Sequence, residues 1–384
     1  MIERAWFVEF RALREVSVAL TPLTVLVGPN GSGKTTVLEG IHAVLQVASQ
    51  PVGAVLQGPW RADRLRNTRA TGAMRVGLAF AGGALRSLEL EVVPHAPTGV
   101  PADDDAPYTA SMRAQDGDAE AQWSARAQVL RGMGAEFDGL LREAAGAEFL
   151  RLSPRALAAP HYADEEEPRI GPDGEGLASV LADLWSSDFA RRDAIVEGLR
   201  RVVPSVLRVR VERARVVRQE TEVLTVNGER IPRHREATYS GHRVVLDTTS
   251  GEAIPLVAAS EGTVLALGLM AVLHGRHRPR TLLVDDLDRA LHPQAQQDLV
   301  GLLRSVMADE PRLQIVATSH SPSLLDALEH EEVRLCTLDG EGGVRCGALR
   351  DHPDFAQWGS QVRPGELWTA GLESWLLALP RPTP

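Results

Sequence analysis

Cysteine is scarce in this sequence of 384 residues, since only Cys336 and Cys346 occur. Two cysteines that lie ten positions apart in a strand-rich stretch make neither a disulfide framework nor a zinc site. We therefore expect both thiols to be reduced and to serve a structural role.

Apolar runs long enough to cross a membrane are missing too. The longest candidate, "TVLALGLMAVL" (263–273), is shorter than the about 18 apolar residues of a membrane span, and it predicts a buried helix. The first ten residues, "MIERAWFVEF", place an acid where a signal peptide has its basic and apolar regions. These features predict a cytoplasmic protein without a membrane partner.

Positive charge is not in excess, because 41 Lys and Arg residues stand against 51 Asp and Glu residues, giving a net charge of −10. This balance argues against a generally basic nucleic-acid binder. A local basic patch remains open, since charges act over about a Debye length of ~10 Å. The candidates are Arg61, Arg64, Arg66 and Arg69, and the strand face of Arg208 and Arg210; the alternative for each is a solvated arginine face.

The first ninety residues alternate between strand and helix patterns. "WFVEF", "VSVAL" and the continuous apolar run "LTVLVG" (23–28) predict strands, the last of them buried. Helical spacing follows "PNGSGKTT", and residues 73–93 return to two strand-like runs joined by "AGGA". The helix face consists of Val37, Leu38, Ile41, Val44 and Leu45.

A change of composition then predicts a helical insertion. "PHAPTGVPADDDAP" (94–107) is typical of an exposed loop, and residues 120–147 and 176–202 have helical periodicity. A charged, glycine-containing loop (163–176) separates the two helical stretches. The second stretch has one apolar face, formed by Leu177, Val180, Leu181, Leu184, Trp185 and Leu199.

Strand patterns return from residue 206, and "VNGE" (226–229) predicts a hairpin turn. Strands to about 257 precede the helix 263–273, the strand 281–286, a helix over 293–308 and the strand 313–320. This alternation predicts a mainly parallel sheet.

We divide the chain into 1–95 (N-terminal part of a head), 96–204 (helical insertion), 205–350 (C-terminal part of the head) and 351–384 (tail). The tail has helical spacing of Leu372, Trp375, Leu376 and Leu379, and we expect it to dock on the head or a partner.

The strongest functional motif is "GPNGSGKT" (28–35), which fits the phosphate-loop pattern G-x-x-x-x-G-K-[ST] between a strand and a helix. Its glycines let backbone N–H groups surround phosphate oxygens at a helix N-terminus. Lys34 would reach the β- and γ-phosphates of ATP, and Thr35 would bind Mg²⁺. The predicted binding residues are Gly28, Pro29, Asn30, Gly31, Ser32, Gly33, Lys34, Thr35 and Thr36.

"LLVDDLDRALHP" (282–293) predicts the acidic end of the same site. Asp285, at the end of a buried strand, would hold Mg²⁺, and Asp286 would polarise the attacking water. "ATSHSP" (317–322) places His320 at the end of another strand, where it could contact the γ-phosphate. The alternatives are a solvated acidic turn and a structural histidine.

Together these motifs resemble ABC-type ATPases of the SMC/RecF/OLD group, specifically stand-alone prokaryotic members. The resemblance covers about 1–93 and 205–350, and extends to "IGPDGEGLASVL" (170–181) and "PGELW" (364–368). It implies an α/β P-loop NTPase: a bilobed head with a mixed sheet, a helical insertion, ATP and Mg²⁺. It further implies that "AASEGTVLALG" (258–268) is a signature motif, whose Ser260 and Gly262 cap ATP bound to the other subunit of a homodimer.

The sequence departs from the family at the acids. Glu is common where this chain has Asp286, and Asp is one methylene shorter. Water positioning contributes roughly 10²–10⁴-fold to such reactions, so we expect slow hydrolysis. Asp288 could assist catalysis or cap its turn, and His292 could line a dimer interface or simply pack. Gln46 and Gln57 are both candidates for a glutamine that contacts Mg²⁺.

Several functions remain in competition. The "ASEGT" signature disfavours a transporter subunit, and the glycine-interrupted insertion disfavours a long coiled coil. Only 64 residues follow His320, which leaves little room for a nuclease domain; Asp351, His352 and Asp354 are either metal ligands or a loop. One hypothesis is an ATP-gated dimer that acts on DNA or controls a separate effector or nuclease, in DNA repair or anti-phage defence. The other is a protein-directed ATP switch without nucleic acid.

Overall fold

The computed structural model of the chain describes residues 1–57, 61–82, 86–94, 108–124, 137–226, 229–358 and 361–378. The chain forms two compact units. The first unit comprises Met1–Phe149, Pro279–Asp288 and Leu303–Pro384, and the second unit comprises Leu150–Arg278 and Arg289–Leu302.

The strands are β1 (Ile2–Phe10), β2 (Leu13–Ala19), β3 (Leu23–Val27), β4 (Met74–Phe80), β5 (Arg86–Pro94), β6 (Tyr108–Asp116), β7 (Ala119–Ser124), β8 (Ala147–Leu150), β9 (Val206–Val226), β10 (Glu229–Thr248), β11 (Gly251–Pro255), β12 (Thr281–Val284), β13 (Gln314–Ser319), β14 (Val333–Leu338) and β15 (Val344–Ala348). The α-helices are α1 (Lys34–Val47), α2 (Val52–Val55), α3 (Ala62–Leu65), α4 (Asp138–Ala144), α5 (Pro154–Ala158), α6 (Leu177–Ser187), α7 (Phe189–Val202), α8 (Glu261–His274), α9 (Pro293–Asp309), α10 (Pro322–Leu325), α11 (Phe355–Trp358) and α12 (Pro364–Thr369). Short 3₁₀ turns lie at Leu256–Ala258, His330–Glu332, Leu349–Asp351 and Leu372–Leu377.

A mainly parallel sheet forms the centre of the first unit, in the order β15-β14-β3-β13-β12-β8. β14, β3, β13 and β12 run parallel, and β15 pairs antiparallel with β14. Every residue of β3, β12 and β13 is buried, as expected for continuous apolar runs in a sheet covered on both faces. The predicted α/β fold with a mainly parallel sheet is confirmed.

A second, antiparallel sheet of the first unit has the order β2-β1-β4-β5-β6-β7. Helix α1 contacts strands of both sheets, and its predicted apolar face is fully buried. A buried glutamine links the sheets, because the Gln314 amide on β13 accepts from the Ile2 N–H (2.8 Å) and donates to the Ile2 carbonyl (2.7 Å). The phosphate loop therefore begins from a strand packed on all sides.

The prediction of helix from residue 120 was wrong over the first five residues, which belong to β7. The missed signal is the turn in "QDGDAE", where Gly117 adopts a φ of +62° and joins β6 to β7. The alternation of buried Ala110, Met112 and Ala114 marks β6 as a strand with one face in the core. The segment 125–136 lies outside the described residues, and the four-part division of the chain remains a prediction.

The second unit contains α5 to α8 and a three-stranded sheet in the order β11-β10-β9. β9 and β10 pair antiparallel from Val226↔Glu229 to the far end of the hairpin, which confirms the predicted hairpin; residues 227 and 228 lie outside the described part. The predicted helix 176–202 is interrupted at Asp188, whose carboxylate caps α7 by accepting from the Arg191 N–H (3.1 Å).

The described part of the tail packs on the first unit. The Gly365 N–H donates to Asp326 (3.0 Å), and Trp375 and Leu376 lie against Gly347 of β15. Leu379 and the Leu372 side chain lie outside the described part. None of the described helices is long and apolar enough to span a membrane.

Candidate nucleotide site

Three glycines shape the loop between β3 and α1. Gly28, Gly31 and Gly33 have φ values of +154°, +79° and +86°, a backbone region that other residues rarely adopt. A Cβ atom on Gly28 would overlap the carbonyl oxygen of Cys336, and one on Gly33 would lie 2.5 Å from Val344. The first and last of these positions therefore need glycine for both backbone conformation and space.

Lys34 begins α1 and is 5% exposed. Its ammonium group donates to the carbonyls of Gly28 and Pro29, both at 2.9 Å, so the side chain folds back over its own loop. Burial lowers the pKa of Lys34, and the nearby carboxylates partly oppose this effect. An anion in the loop would replace carbonyl partners with charged ones and relieve the cost of burying this cation.

The side chains of Thr35 and Asp285 come together although 250 positions separate them. The Thr35 hydroxyl donates to Oδ1 of Asp285 (2.9 Å), and the Thr318 hydroxyl donates to the same oxygen (2.8 Å). A hydroxyl and a carboxylate at one point are oxygen ligands of the kind that Mg²⁺ prefers. This donor set fits the predicted metal, which would be held by Thr35 and Asp285.

Asp286 is exposed and has a φ of +56°. Its N–H donates to the Thr318 hydroxyl (2.8 Å), which holds this left-handed backbone in place. Asp and Asn tolerate that conformation better than most residues with a Cβ. The short acid therefore suits its backbone, and the exposed carboxylate can meet water.

Asp288 contacts the segment of His320. Its carboxylate accepts from the His320 N–H at 3.2 Å (Oδ1) and 3.4 Å (Oδ2), and the Leu287 N–H donates to the Thr318 carbonyl (3.0 Å). The ends of β12 and β13 are thus joined by side chains as well as backbone. Thr318, which our sequence analysis did not single out, lies at the centre of this network; its position two residues before His320 in "ATSH" is the signal.

Ser260 and Gly262 lie in the second unit at the start of α8. The Ser260 hydroxyl accepts from the Thr263 N–H (3.3 Å) and shares a hydrogen bond with the Thr263 hydroxyl (2.7 Å). Ser260 is thus a helix N-cap, and a Cβ on Gly262 would overlap the Ala290 carbonyl. The helix N-terminus presents N–H groups suited to an anion, but the same contacts serve an ordinary cap.

The structure bears on three alternatives that the sequence left open: the choice of glutamine, the role of His292, and the nature of the segment 351–354. The Gln46 side chain is hydrogen-bonded to His42 on its own helix (3.0 Å) and to Gln50 just after that helix (2.6 Å), whereas Gln57 is exposed. His292 is exposed, and its Nδ1 accepts from the Gln294 N–H (3.4 Å). His352 is buried against Trp375, which favours a packed loop at 351–354. Within the described ranges, no group of three or more His, Cys, Asp or Glu could hold a metal ion.

Some arginines of the predicted basic clusters make hydrogen bonds or ion pairs within the chain. Arg66 donates to the carbonyls of Ala70 (2.5 Å) and Gly72 (2.9 Å), and Arg69 donates to the Glu341 carbonyl (3.4 Å). Arg210 pairs with Asp247 at 2.7 Å, whereas Arg208 is exposed.

Comparison of the sequence with known protein families gives a match that includes the phosphate loop and the acidic motif. Residues 23–326 match the family described as "AAA domain, putative AbiEii toxin, Type IV TA system". The chain is 49% identical over 45 residues to the OLD nuclease of Thermus scotoductus, and 35% identical over 63 residues to the Septu protein PtuA of Bacillus thuringiensis. These matches span 12% and 16% of this chain, and only 8% and 15% of the two relatives.

Among solved structures, an SMC head bound to the C-terminal winged-helix domain of ScpA is 14% identical, with a TM-score of 0.48 and coverage of 90% of this chain and 97% of that one. The SMC head domain from Thermotoga maritima is 11% identical, with a TM-score of 0.40 and coverage of 90% and 98%. The family match covers most of the sequence, and together with the OLD nuclease match it confirms the predicted resemblance. The chain belongs to this family of AAA domains.

Proposed function

We propose that this protein binds ATP with Mg²⁺ at the phosphate loop and hydrolyses it slowly to ADP and phosphate. The observation that carries the proposal is the meeting of the Thr35 and Thr318 hydroxyls at one oxygen of Asp285, directly beside the loop that holds Lys34. A bound Mg²⁺ would neutralise charge on the phosphate oxygens. A structural turn would not require these groups to converge at the end of two buried strands.

The chain's own residues would then act as follows. The loop N–H groups and Lys34 bind the phosphates, and Thr35 and Asp285 hold the metal. Asp286 positions the attacking water from its exposed carboxylate, and His320 contacts the γ-phosphate. The Asp288 contact with the His320 N–H supports a positioning role for Asp288 rather than direct contact with the reacting atoms.

The proposal includes a homodimer with ATP between the subunits. Ser260 and Gly262 at the α8 N-terminus would contact the γ-phosphate of ATP bound to the other subunit. The helix-terminus geometry of Ser260 supports this role, since an anion there is favoured by the helix dipole.

Single-turnover ATP hydrolysis, followed with light scattering to report mass, tests the catalytic part. The wild type should dimerise with ATP and turn over slowly, and Asp286→Asn should dimerise without turnover. Lys34→Ala, the matched control, should do neither. If Asp286→Asn hydrolyses ATP at the wild-type rate, Asp286 is not the water-positioning residue.

Mixing two inactive variants tests the shared site. Lys34→Ala lacks the phosphate-loop cation, and Ser260→Arg blocks the proposed cap. A mixed dimer contains one site in which both parts are intact, so the mixture should recover part of the turnover that each variant alone has lost. Failure of the mixture to recover activity, while both variants remain folded, would contradict a site shared between subunits.

A second candidate function, binding of DNA, is favoured by the β9–β10 hairpin. Arg208, Arg213 and Arg215 are exposed there, although Glu212 and Glu236 on the same strands reduce the local charge. Phosphate contacts by these arginines would make binding strongly dependent on salt. The role of an ATP-gated dimer in DNA repair or anti-phage defence belongs to this candidate.

Fluorescence anisotropy with a DNA duplex at increasing salt tests it, with and without ATP. Changing Arg208, Arg213 and Arg215 to Ser should weaken binding and lower the salt dependence. Changing Arg61 and Arg64 to Ser tests two exposed arginines of the other predicted basic cluster. If the wild type does not bind DNA with or without ATP, a switch that acts on a separate effector protein is the better assignment.

A further inference from the structure

The two cysteines face each other across the β14–β15 hairpin. Cys336 and Cys346 are register partners, and their sulfur atoms lie 3.2 Å apart. Both are free thiols, Cys336 fully buried and Cys346 partly exposed. A disulfide needs a sulfur–sulfur distance of about 2.05 Å, so a bond between them requires a shift of only about 1 Å.

The same β14–β15 hairpin packs against the phosphate loop. β14 pairs with β3 at Leu335↔Val27, so Cys336 lies opposite Gly28. The Cys336 carbonyl contacts Gly28 closely enough to exclude a Cβ, and Val344 does the same at Gly33. The thiol pair is therefore built into the two strands that contact both ends of the loop.

We propose that Cys336 and Cys346 form an oxidation site, at which a peroxide converts the two thiols reversibly to a disulfide. The disulfide weakens ATP binding at the phosphate loop, which the hairpin contacts. The sequence favours reduced, structural thiols, and the facing geometry adds this second state. The ATP-dependent part of the inference rests on the proposed function, whereas the disulfide itself does not.

The reaction balances with a peroxide as the oxidant. The Cys346 thiolate attacks the peroxide O–O bond and becomes a sulfenic acid, and the leaving hydroxide takes a proton to give water. The Cys336 thiol then attacks that sulfur, the S–O bond breaks, and a second water leaves. The two thiols lose two electrons and two protons in total, and a dithiol reverses the change.

Exposure decides the order of the two steps. Cys346 is the partly exposed thiol that a peroxide can reach, and Cys336 has no exposed surface. The hydrogen bond with Cys346 and burial both raise the pKa of Cys336, which makes it the poorer first nucleophile. Cys336 is therefore the resolving thiol.

Intact mass and thiol alkylation of the peroxide-treated protein test the site. The wild type should lose two hydrogens in mass and both alkylatable thiols, and dithiothreitol should restore both. Cys346→Ser, the matched control, should keep its remaining thiol. Survival of both wild-type thiols, oxygen addition to one cysteine, or a disulfide between two chains would each overturn the proposal.

Binding of a fluorescent ATP analogue tests the consequence. Oxidised wild type should bind the analogue about tenfold more weakly than reduced wild type, and peroxide should leave the affinity of Cys346→Ser unchanged. An oxidised protein that keeps its affinity contradicts the effect on the loop. If even the reduced protein does not bind the analogue, the proposed function fails, while the mass measurement still decides whether the disulfide forms.

Discussion

At the scale of single residues, the Thr318 hydroxyl holds two acidic residues at once. It donates to the Asp285 carboxylate (2.8 Å) and accepts from the Asp286 N–H (2.8 Å), and Thr318 itself is fully buried. One hydroxyl thus fixes both the proposed metal ligand and the backbone of the proposed water-positioning acid.

Thr318→Val keeps the shape of this side chain and removes both hydrogen bonds. We expect a loss of about 1–3 kcal/mol in the free energy of unfolding, since polar partners at this site lose their hydrogen bonds. ATP binding should require roughly tenfold more Mg²⁺, because Asp285 is no longer oriented. Thr318→Ser is the control that keeps the hydroxyl. A Mg²⁺ titration at fixed ATP measures the effect, and equal midpoints for Val and Ser would contradict it.

Asp286→Glu tests whether reach limits hydrolysis. Glu adds one methylene, and at a φ of +56° it adds backbone strain that Asp tolerates better. If the short acid slows the reaction, the single-turnover rate should rise about tenfold or more, within the range of general-base effects. Asp286→Asn provides the lower reference. A rate for Glu equal to or below that of Asp would show that reach is not limiting.

The sequence singles out some of these residues as site candidates and passes over others. The phosphate-loop residues form a contiguous motif with fixed spacing, so Lys34 and Thr35 are evident without a structure. The hydrogen bond between Asp285 and Thr318 joins positions 33 apart, one directly after β12 and the other in β13, and only the sheet order brings them together. The position of Thr318 two residues before His320 marks it as a strand-end residue but does not identify Asp285 as its partner, so its role could not be assigned from the sequence.

At the scale of elements, the passage from β3 into α1 depends on the fit of the loop against β14. Gly28→Ala places a Cβ on the Cys336 carbonyl of β14 in a backbone region unfavourable to alanine. We expect a loss of more than about 3 kcal/mol in stability, since neither backbone can move without disturbing a buried sheet.

Gly31→Ala is the matched control, because nothing lies within 4 Å of its Cβ and only the positive φ opposes it. That strain costs about 1–2 kcal/mol. Urea denaturation of both variants checks the difference. Equal midpoints would show that the contact with Cys336 can relax without cost.

Elements with a strong apolar pattern were predicted correctly, and so was the β9–β10 hairpin, whereas the turn before β7 and the cap at Asp188 were missed. β3, β12 and β13 are continuous buried runs, and their order along the chain predicts parallel strands. β7 was mistaken for helix because the sequence "AEAQWS" is compatible with the apolar spacing of a helix and with that of a strand. The turn at Gly117 decides in favour of the strand. The break at Asp188 follows from a capping contact that helical periodicity does not report.

At the scale of the whole molecule, His42 should make stability depend on pH. Burial lowers the pKa of His42 from 6.5 to about 4 in the folded chain. The unfolded chain binds a proton more readily between these values, so this contribution is complete above pH 6.5 and falls away as the pH drops towards about 4. We expect a loss of roughly 1–3 kcal/mol across this window.

His42→Gln keeps a polar group beside Gln46 and removes the titration. Urea denaturation of both proteins between pH 4 and 7 measures the difference in their free energies of unfolding. The wild type should lose stability relative to the variant as the pH falls. Parallel pH profiles would contradict the assignment to His42.

The division of the chain into two units was beyond the reach of the sequence. β6, β7 and α4 belong to the first unit although they fall in the predicted insertion, and the β9–β10 hairpin belongs to the second unit although it falls in the predicted head. Composition changes mark loops and charged segments. They do not report which distant segments pack together, and that packing defines a unit.

Lys34 is the only lysine among the 384 residues, since all the other Lys and Arg positions are arginine. Its amine is bonded to the carbonyls of its own loop, and a bound nucleotide would shield it further. Because the sequence has no other lysine, an amine-acylating reagent would modify this side chain alone, apart from the terminal amine. After the protein is unfolded, lysine-specific proteolysis would release residues 1–34 from unmodified protein and fail on acylated protein. The chain thus carries its own covalent reporter of nucleotide occupancy, without any engineered label.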